Sequence, residues 1–486
     1  MTYLGIDIGT SGVKALLMDA EQTIISVGMA PLTVSRPHAG WCEQDPTDWI
    51  GGVRMALEKV RRDAPKAYSA VAGLGLSGHM HGATLLDKNG RVLRPCILWN
   101  DTRSHAEAQI LDNNPAFRAI TGNIAFPGFT APKLAWVKDH EPSIFASVHK
   151  VLLPKDYVRL WLTGEYVSEM SDASGTSWLN VAERDWSNEL LNACDLGREH
   201  MPNLIEGTDV SGVILRERAS HLGLPTHVKV AGGAGDNAAS AIGMGAINNG
   251  DAFLSLGTSG VLFAVNDVYS PNANSAVHAF CHAQPESWHQ MGVTLSAADS
   301  LNWLATITGK TPAQLTQALP GQLSGPSDIT FLPYLSGERT PHNDAKVRGV
   351  FAGLNHTSDT TALTRAVIEG VSFAFKDCLN ALGAAGTRIH RATVVGGGSK
   401  SRYWLQTLAT VLNIQLDVPQ TGDFGAAFGA ARLGFIAASK ERVKGVCKKP
   451  TLMHSVEPIN SLTTQYAEAQ SLYRALYPAI NNWQQN

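Results

Sequence analysis

The tetrapeptide Gly-Thr-Ser-Gly occurs twice in this chain, as Gly9, Thr10, Ser11 and Gly12 and again as Gly257, Thr258, Ser259 and Gly260, each time between two apolar segments of strand length. Residues 3–19 read YLGIDIGTSGVKALLMD, and residues 252–265 read AFLSLGTSGVLFAV. Apolar, β-branched runs bounded by glycine and hydroxyl residues predict two strands and a tight turn. A single copy is accounted for by an ordinary hairpin. Two copies about 250 residues apart predict two related halves, each offering small residues whose peptide N–H groups and hydroxyls can meet an oxyanion.

The rest of the chain fits an alternating α/β plan. VAGLGL (71–76) and VKVAG (228–232) read as short buried strands, and Val394 and Val395 lead into Gly396, Gly397 and Gly398. After that loop, Trp404, Leu405, Leu408 and Val411 or Leu412 recur with helical spacing. The small residues from Gly425 to Ala431 predict a helix packed closely against a cleft. At 486 residues the chain exceeds one ordinary core. The expected division is 1–248, 249–450 and a helical tail over 451–486, with the break between halves near 245–252.

Composition narrows the function. Lys plus Arg number 39 against 42 Asp plus Glu, a formal charge of -3, so no basic excess points to nucleic acid or an anionic membrane. No run of about 18 apolar residues predicts a membrane span. The six cysteines are scattered without a CxxC pair. The opening MTYLGIDIGTSG has no signal-peptide pattern, and the expected location is the cytoplasm.

Three local patterns tempt and fail. TGKT at Thr308–Thr311 resembles the end of a nucleotide P-loop, but the glycine required four residues before it is Leu304. Gly233, Gly235 and Ala238 satisfy GxGxxA, yet no acidic ribose partner follows at the needed distance. His278, Cys281 and His282 supply too few ligands for a structural zinc site, and buried structural roles are expected of them. His79 and His81 in GHMHG fit polar sugar recognition, metal binding or a plain turn.

The motifs taken together resemble the FGGY carbohydrate kinases over about residues 3–440. DIGTSGVK resembles that family's first phosphate-binding hairpin, LGTSG its second phosphate-contacting segment and GGGSKSRYW its nucleotide-side loop. GFTAPKLAWVKDH (128–140), with Thr130, Lys133, Leu134, Trp136 and Val137, is similar to the first family signature. GVFAGL followed by LTRAVIEG resembles the second, except that Ala362 stands where a polar or acidic residue is usual. SGHMHG, ILWNDTR, AGGAGDNAA and LPYLSGERTPH are similar to members acting on pentuloses. Glycerol-specific members carry an Arg-Glu pair where this chain has Met80 and His81.

The resemblance implies two ribonuclease H-like domains of the actin and hexokinase type, flanking a central cleft that holds sugar and ATP. It implies ATP and Mg²⁺ as requirements, a pentulose partner, and D-xylulose phosphorylated at its C5 hydroxyl. Another sugar such as ribulose, or a noncatalytic sugar- or nucleotide-binding module, are the alternatives. Assembly is left open, a homodimer included. Asp236 is the expected general base, with a helix N-cap as its ordinary role. Asp7, with Asp236, is expected to hold Mg²⁺, which favours oxygen ligands and retains water. Met80 and His81 are expected on the sugar, with Trp99, Asn100, Asp101 and Arg103 completing a polar wall, and glycines 78 and 82 allowing close approach to the substrate. Thr10, Ser11, Lys14, Gly257, Thr258 and Ser259 are expected on phosphate, and Gly397, Gly398, Ser399 and Arg402 on the nucleotide.

Overall fold

The computed structural model describes residues 1–420 and 425–485. The chain forms two compact units that do not follow chain order. The first comprises Met1–Ile247, Phe280–Trp288 and a late stretch ending at Lys449; the second comprises Asn248–Ala279, a stretch beginning at His289, and the C-terminal stretch from Pro450.

The first sheet has seven strands. Its path runs Val210–Val213, Lys229–Ala231, Val71–Gly78, Thr2–Ile8, Gly12–Asp19 and Ile24–Pro31, with Ala234–Gly235 also paired to Val71–Gly78. The opening hairpin is antiparallel, with Ile8 opposite Val13 and Asp7 opposite Lys14. The Gly9 N–H closes its turn on the Gly12 carbonyl at 2.9 Å. On its other side Thr2–Ile8 pairs in parallel with Val71–Gly78, placing Asp7 beside Ser77. Buried Leu4, Ile6, Ile8, Val13, Leu74 and Leu76 form the core beneath it.

A second seven-stranded sheet repeats this pattern. Ala252–Leu256 pairs antiparallel with Gly260–Asn266 and in parallel with Arg391–Val395. That strand continues in parallel to Gln415–Pro419, which is closed antiparallel by Leu452–Val456. In the first sheet, Thr2–Ile8, Val71–Gly78, Lys229–Ala231 and Val210–Val213 have the same succession of orientations. Each Gly-Thr-Ser-Gly turn thus occupies the same place in its own sheet. Helix Arg402–Leu412 makes one of the parallel crossovers; its Trp404, Leu405, Leu408 and Leu412 are buried, as their spacing predicts.

Two expectations need correction. Helix Ala426–Ser439 belongs to the first unit, not the second half, and is seated on the first sheet. Gly5, Gly73 and Gly75 form its seat: a Cβ at Gly5 would lie 2.5 Å from Ala431 N, and one at Gly75 would lie 2.7 Å from Ala430 C. The C-terminal tail is not wholly helical either, because Leu452–Val456 supplies a sheet edge before helix Thr463–Gln485. Asn486 lies outside the described residues. No helix among the described residues is long and apolar enough to cross a membrane.

The TGKT segment is a helix junction. Gly309 ends helix Ala298–Thr308 in the left-handed region (φ 67°), and Thr311 caps helix Pro312–Gln317 through a capping box with Gln314. His282 is buried, its Nδ1 accepting the Ala283 N–H at 2.7 Å and its Nε2 donating to the Ala246 carbonyl at 3.1 Å. The six cysteines are buried and unpaired.

Candidate active site

The C-terminal ends of three neighbouring strands in the first sheet bring two carboxylates to one place. Asp7 pairs with Ser77, which in turn pairs with Ala234, so Asp236 follows two residues beyond the same level. Strand Ala234–Gly235 stops there because Asp236 opens helix Asp236–Gly243, where the positive end of the helix dipole favours an acid. Asp236 Oδ1 accepts from the Asn237 N–H at 2.7 Å and from Asn237 Nδ2 at 2.9 Å. One oxygen therefore serves the helix start, and Oδ2 has no hydrogen bond among the described residues.

Electrostatics marks this carboxyl. Burial, then the negative charge of Asp7, pushes Asp236 up to about 6, against the opposing bonds from Asn237. Burial also raises Asp7, offset in part by Ser77 and Lys14. The offset from Ser77 falls short of a well-formed hydrogen bond, since Asp7 Oδ1 and Ser77 Oγ are both buried without a partner among the described residues. An unpaired oxygen on Asp7 suits a hard cation. No group of three or more His, Cys, Asp or Glu that could hold a metal occurs among the described residues. Two carboxylates with water and phosphate completing the shell match what Mg²⁺ takes.

Met80 packs against Gly235, the residue before Asp236, and His81 follows it in the loop. Met80 is buried, and a Cβ on Gly235 would sit 2.9 Å from its Cγ and 3.0 Å from its Sδ. His81 adopts φ 70°, a backbone region L-residues seldom enter. Four contacts hold it there. Its carbonyl accepts from Lys133 Nζ at 2.8 Å and Thr130 Oγ1 at 3.2 Å. Its ring stacks on Phe129 at 4.4 Å. Its Nδ1 lies 2.8 Å from the Gly175 carbonyl, so this nitrogen carries the proton and donates it. Lys133 is wholly buried, which pulls it down to about 7 despite the opposing Cys96 and Asp101.

Glycines 78 and 82 do not open the loop towards a ligand. A Cβ at Gly78 would be 3.3 Å from Lys155 Cβ, and one at Gly82 would be 2.6 Å from Pro154 Cγ, so both bring the loop onto protein. His79 is buried and lies edge-on to Trp49 at 5.6 Å. Burial, then the Lys133 charge, lowers it to about 3 and keeps it neutral.

The Trp99–Arg103 segment divides its work. Trp99 is 48% exposed and its Nε1 donates to Thr10 Oγ1 at 3.0 Å, tying this segment to the first turn. Asn100 keeps a buried Oδ1 without a partner among the described residues. Asp101 and Arg103 are occupied with each other: Arg103 Nε and NH2 donate to Asp101 at 2.9 and 2.7 Å, and its guanidinium lies 3.6 Å from the Trp41 ring centre. Asp101 also accepts the Cys42 N–H at 2.6 Å. Ser11 stands exposed on the turn, while Lys14 faces Asp7 across the hairpin.

In the second unit, Gly257, Thr258 and Ser259 form the corresponding turn, with the two hydroxyl residues exposed. Gly396 (φ 99°) brings the glycine loop onto it: a Cβ there would lie 2.6 Å from the Leu256 carbonyl oxygen. A Cβ on Gly397 would meet nothing within 4 Å, whereas Gly398 packs on Leu256. Ser399 Oγ donates back to the Gly396 carbonyl at 2.7 Å, and Arg402 is exposed at the start of the next helix. In the sequence Thr130 and Lys133 stand only as signature positions, and nothing there points to Phe129 or Gly175. A lone lysine in the apolar stretch FTAPKLAWV was the one available clue.

Hydroxyl-bearing turns at matching ends of two like-built sheets, one beside two recessed carboxylates, are the equipment of a phosphoryl-transferring enzyme. Residues 2–243 match the N-terminal domain and residues 252–438 the C-terminal domain of the FGGY family of carbohydrate kinases, and the chain belongs to that family. It is 50% identical over 443 residues to a xylulose kinase of Escherichia coli K12, covering 90% of this chain and 91% of that one. It is 48% identical over 483 residues to a xylulose kinase of Klebsiella pneumoniae, covering 98% and 99%. The crystal structure of a "xyloylose kinase" from Brucella ovis superposes with a TM-score of 0.98 at 58% identity, covering 99% of this chain and 100% of that one.

Proposed function

We propose that this protein transfers the γ-phosphoryl group of ATP to the C5 hydroxyl of D-xylulose, giving D-xylulose 5-phosphate and ADP. The observation that carries this reading is Asp236, a carboxyl raised to about 6 with one oxygen uncommitted, directly following Gly235, which packs on Met80 of the fixed His81 loop. Ionised at neutral pH, Asp236 accepts the C5 hydroxyl proton as that oxygen attacks phosphorus. Met80 and His81 orient the sugar, and Trp99 and Asn100 border it. Asp101 and Arg103 act from behind, by fixing the chain that carries Trp99. Full-length similarity to xylulose kinases supports this substrate over other ketoses.

ATP is assigned to Thr10, Ser11 and Lys14 at its phosphate end, to Gly257, Thr258 and Ser259, and to Gly397, Gly398, Ser399 and Arg402. Asp7 and Asp236 would hold Mg²⁺, which would supply neutralisation of the phosphate charge. The shared order of strand orientations supports two ribonuclease H-like domains of the actin and hexokinase type. Six unpaired buried cysteines fit a reducing compartment such as the cytoplasm.

The test is ADP release with MgATP and a panel of D-xylulose, L-xylulose, D-ribulose, L-ribulose, D-fructose, gluconate and glycerol. D-xylulose should give the highest kcat/KM. A clear preference for another member overturns the substrate, and sugar binding without turnover overturns the activity.

A further inference from the structure

Five ionisable side chains lie buried just behind the sugar loop: Lys155, Asp156, Arg159, Glu169 and Asp172. Lys155 Nζ lies 2.8 Å from Asp156, 3.0 Å from Asp172 and 3.3 Å from Glu169. Arg159 reaches Asp156 at 2.5 Å and the Val167 carbonyl at 2.7 Å. Apolar side chains of similar volume often serve stability as well as buried ion pairs do. What these ions hold in place is therefore the informative question.

They hold one short segment, and that segment touches both halves of the proposed chemistry. Glu169 accepts the N–H groups of Ser171 and Asp172 at 2.7 and 3.0 Å, fixing the start of helix Met170–Ala173. From there Ser171 Oγ accepts the Gly235 N–H at 3.1 Å, on the residue immediately before Asp236. Four residues further on, the Gly175 carbonyl accepts His81 Nδ1–H at 2.8 Å. Arg159 meanwhile donates to the Gly232 carbonyl, at the far end of the glycine-rich approach to Asp236.

We propose that Ser171 is a positioning residue for phosphoryl transfer, and that residues 170–176, anchored by the buried ions, form one brace that sets the spacing of Asp236 and His81. This rests on the assignment of Asp236 as base and His81 as sugar contact. A base and a sugar contact carried on separate loops drift independently unless something ties them, and an error of about 1 Å in such a pair is worth roughly 100-fold in rate. Ser171 ties the base to the segment that also holds the histidine.

Ser171→Ala removes the acceptor of the Gly235 N–H while leaving the ion cluster and backbone in place. With D-xylulose and MgATP, kcat should fall about 10- to 100-fold at a melting temperature close to that of the unaltered enzyme. The ratio of ADP to sugar phosphate should rise above unity, because a misplaced acceptor lets water compete for the phosphoryl group. Ser171→Thr, which keeps the oxygen, should restore most of the rate and the ratio. A folded Ser171→Ala enzyme with rate and ratio within about twofold of the unaltered enzyme overturns the brace. So does an equal loss in the Ala and Thr variants that tracks lost stability. Asp236→Asn in the same series separates the two readings: retained turnover there removes the base assignment itself, whereas lost turnover beside a normal Ser171→Ala removes only the brace.

Discussion

Gly175→Ala should disable sugar recognition without unfolding the protein. The new Cβ would fall 2.5 Å from His81 Nδ1 and 3.0 Å from Met80 Cε, where ordinary contact begins at 3.4 Å. The imidazole must therefore retreat by about 1 Å, a displacement worth roughly 100-fold in a positioned site. Retreat is not free, because the ring stacks on Phe129 at 4.4 Å and the His81 carbonyl is tied to Lys133 at 2.8 Å. The backbone itself tolerates alanine, since Gly175 is not among the positive-φ glycines. In a coupled ADP assay, kcat/KM for D-xylulose should drop about 100-fold, or roughly 2.7 kcal/mol of transition-state stabilisation. KM for ATP and the melting temperature should change little. A kcat/KM within about threefold of the unaltered enzyme, in folded protein, refutes the placement of His81 and Met80 on the sugar.

The acid limb of kcat/KM should fall near pH 6, because Asp236 is about 6 and works only when ionised: activity is present above that value and lost below it. Asp7→Asn removes the negative charge that helps to raise Asp236, so any remaining activity should show this limb at lower pH; an unmoved limb contradicts the coupling. Gly5→Ala forces a Cβ to 2.5 Å from Ala431 N in the seated helix, and should cost about 3 kcal/mol in urea unfolding; an unchanged midpoint contradicts the seat. Burial, opposed by Lys155, holds Asp172 up at about 8. The native state then binds a proton that the unfolded chain releases, so this residue makes stability decline as pH rises from about 4 towards 8. Asp172→Asn should flatten that decline, and an equally steep profile in the variant would contradict the protonated carboxyl.

Both turns were legible in the sequence because each is a local object: glycine and hydroxyl residues between apolar strands need no distant partner to be recognised. Asp236 was legible for a similar reason, as an acid between a glycine-rich strand and a helix, and the family resemblance added its role. The contacts that hold the site were not. Ser171 meets Gly235 across 64 residues, Lys133 meets His81 across 52, and Gly175 meets His81 across 94. No pattern in a single sequence announces such pairs. The seat of helix Ala426–Ser439 was hidden likewise, since its small residues signal close packing but not the strand that receives them. Glycines 78 and 82 misled because a missing side chain does not say whether protein or ligand takes up its space.

The most direct measurement is turnover by Asp236→Asn with D-xylulose and MgATP, followed as D-xylulose 5-phosphate by phosphorus NMR beside calorimetric sugar binding. Asparagine keeps the shape and the contact with Asn237 but cannot take the hydroxyl proton. Sugar should still bind, while turnover should fall by about 100- to 10,000-fold. Turnover within about tenfold of the unaltered enzyme, with the sugar still phosphorylated at C5, would place the base elsewhere and contradict the proposed site.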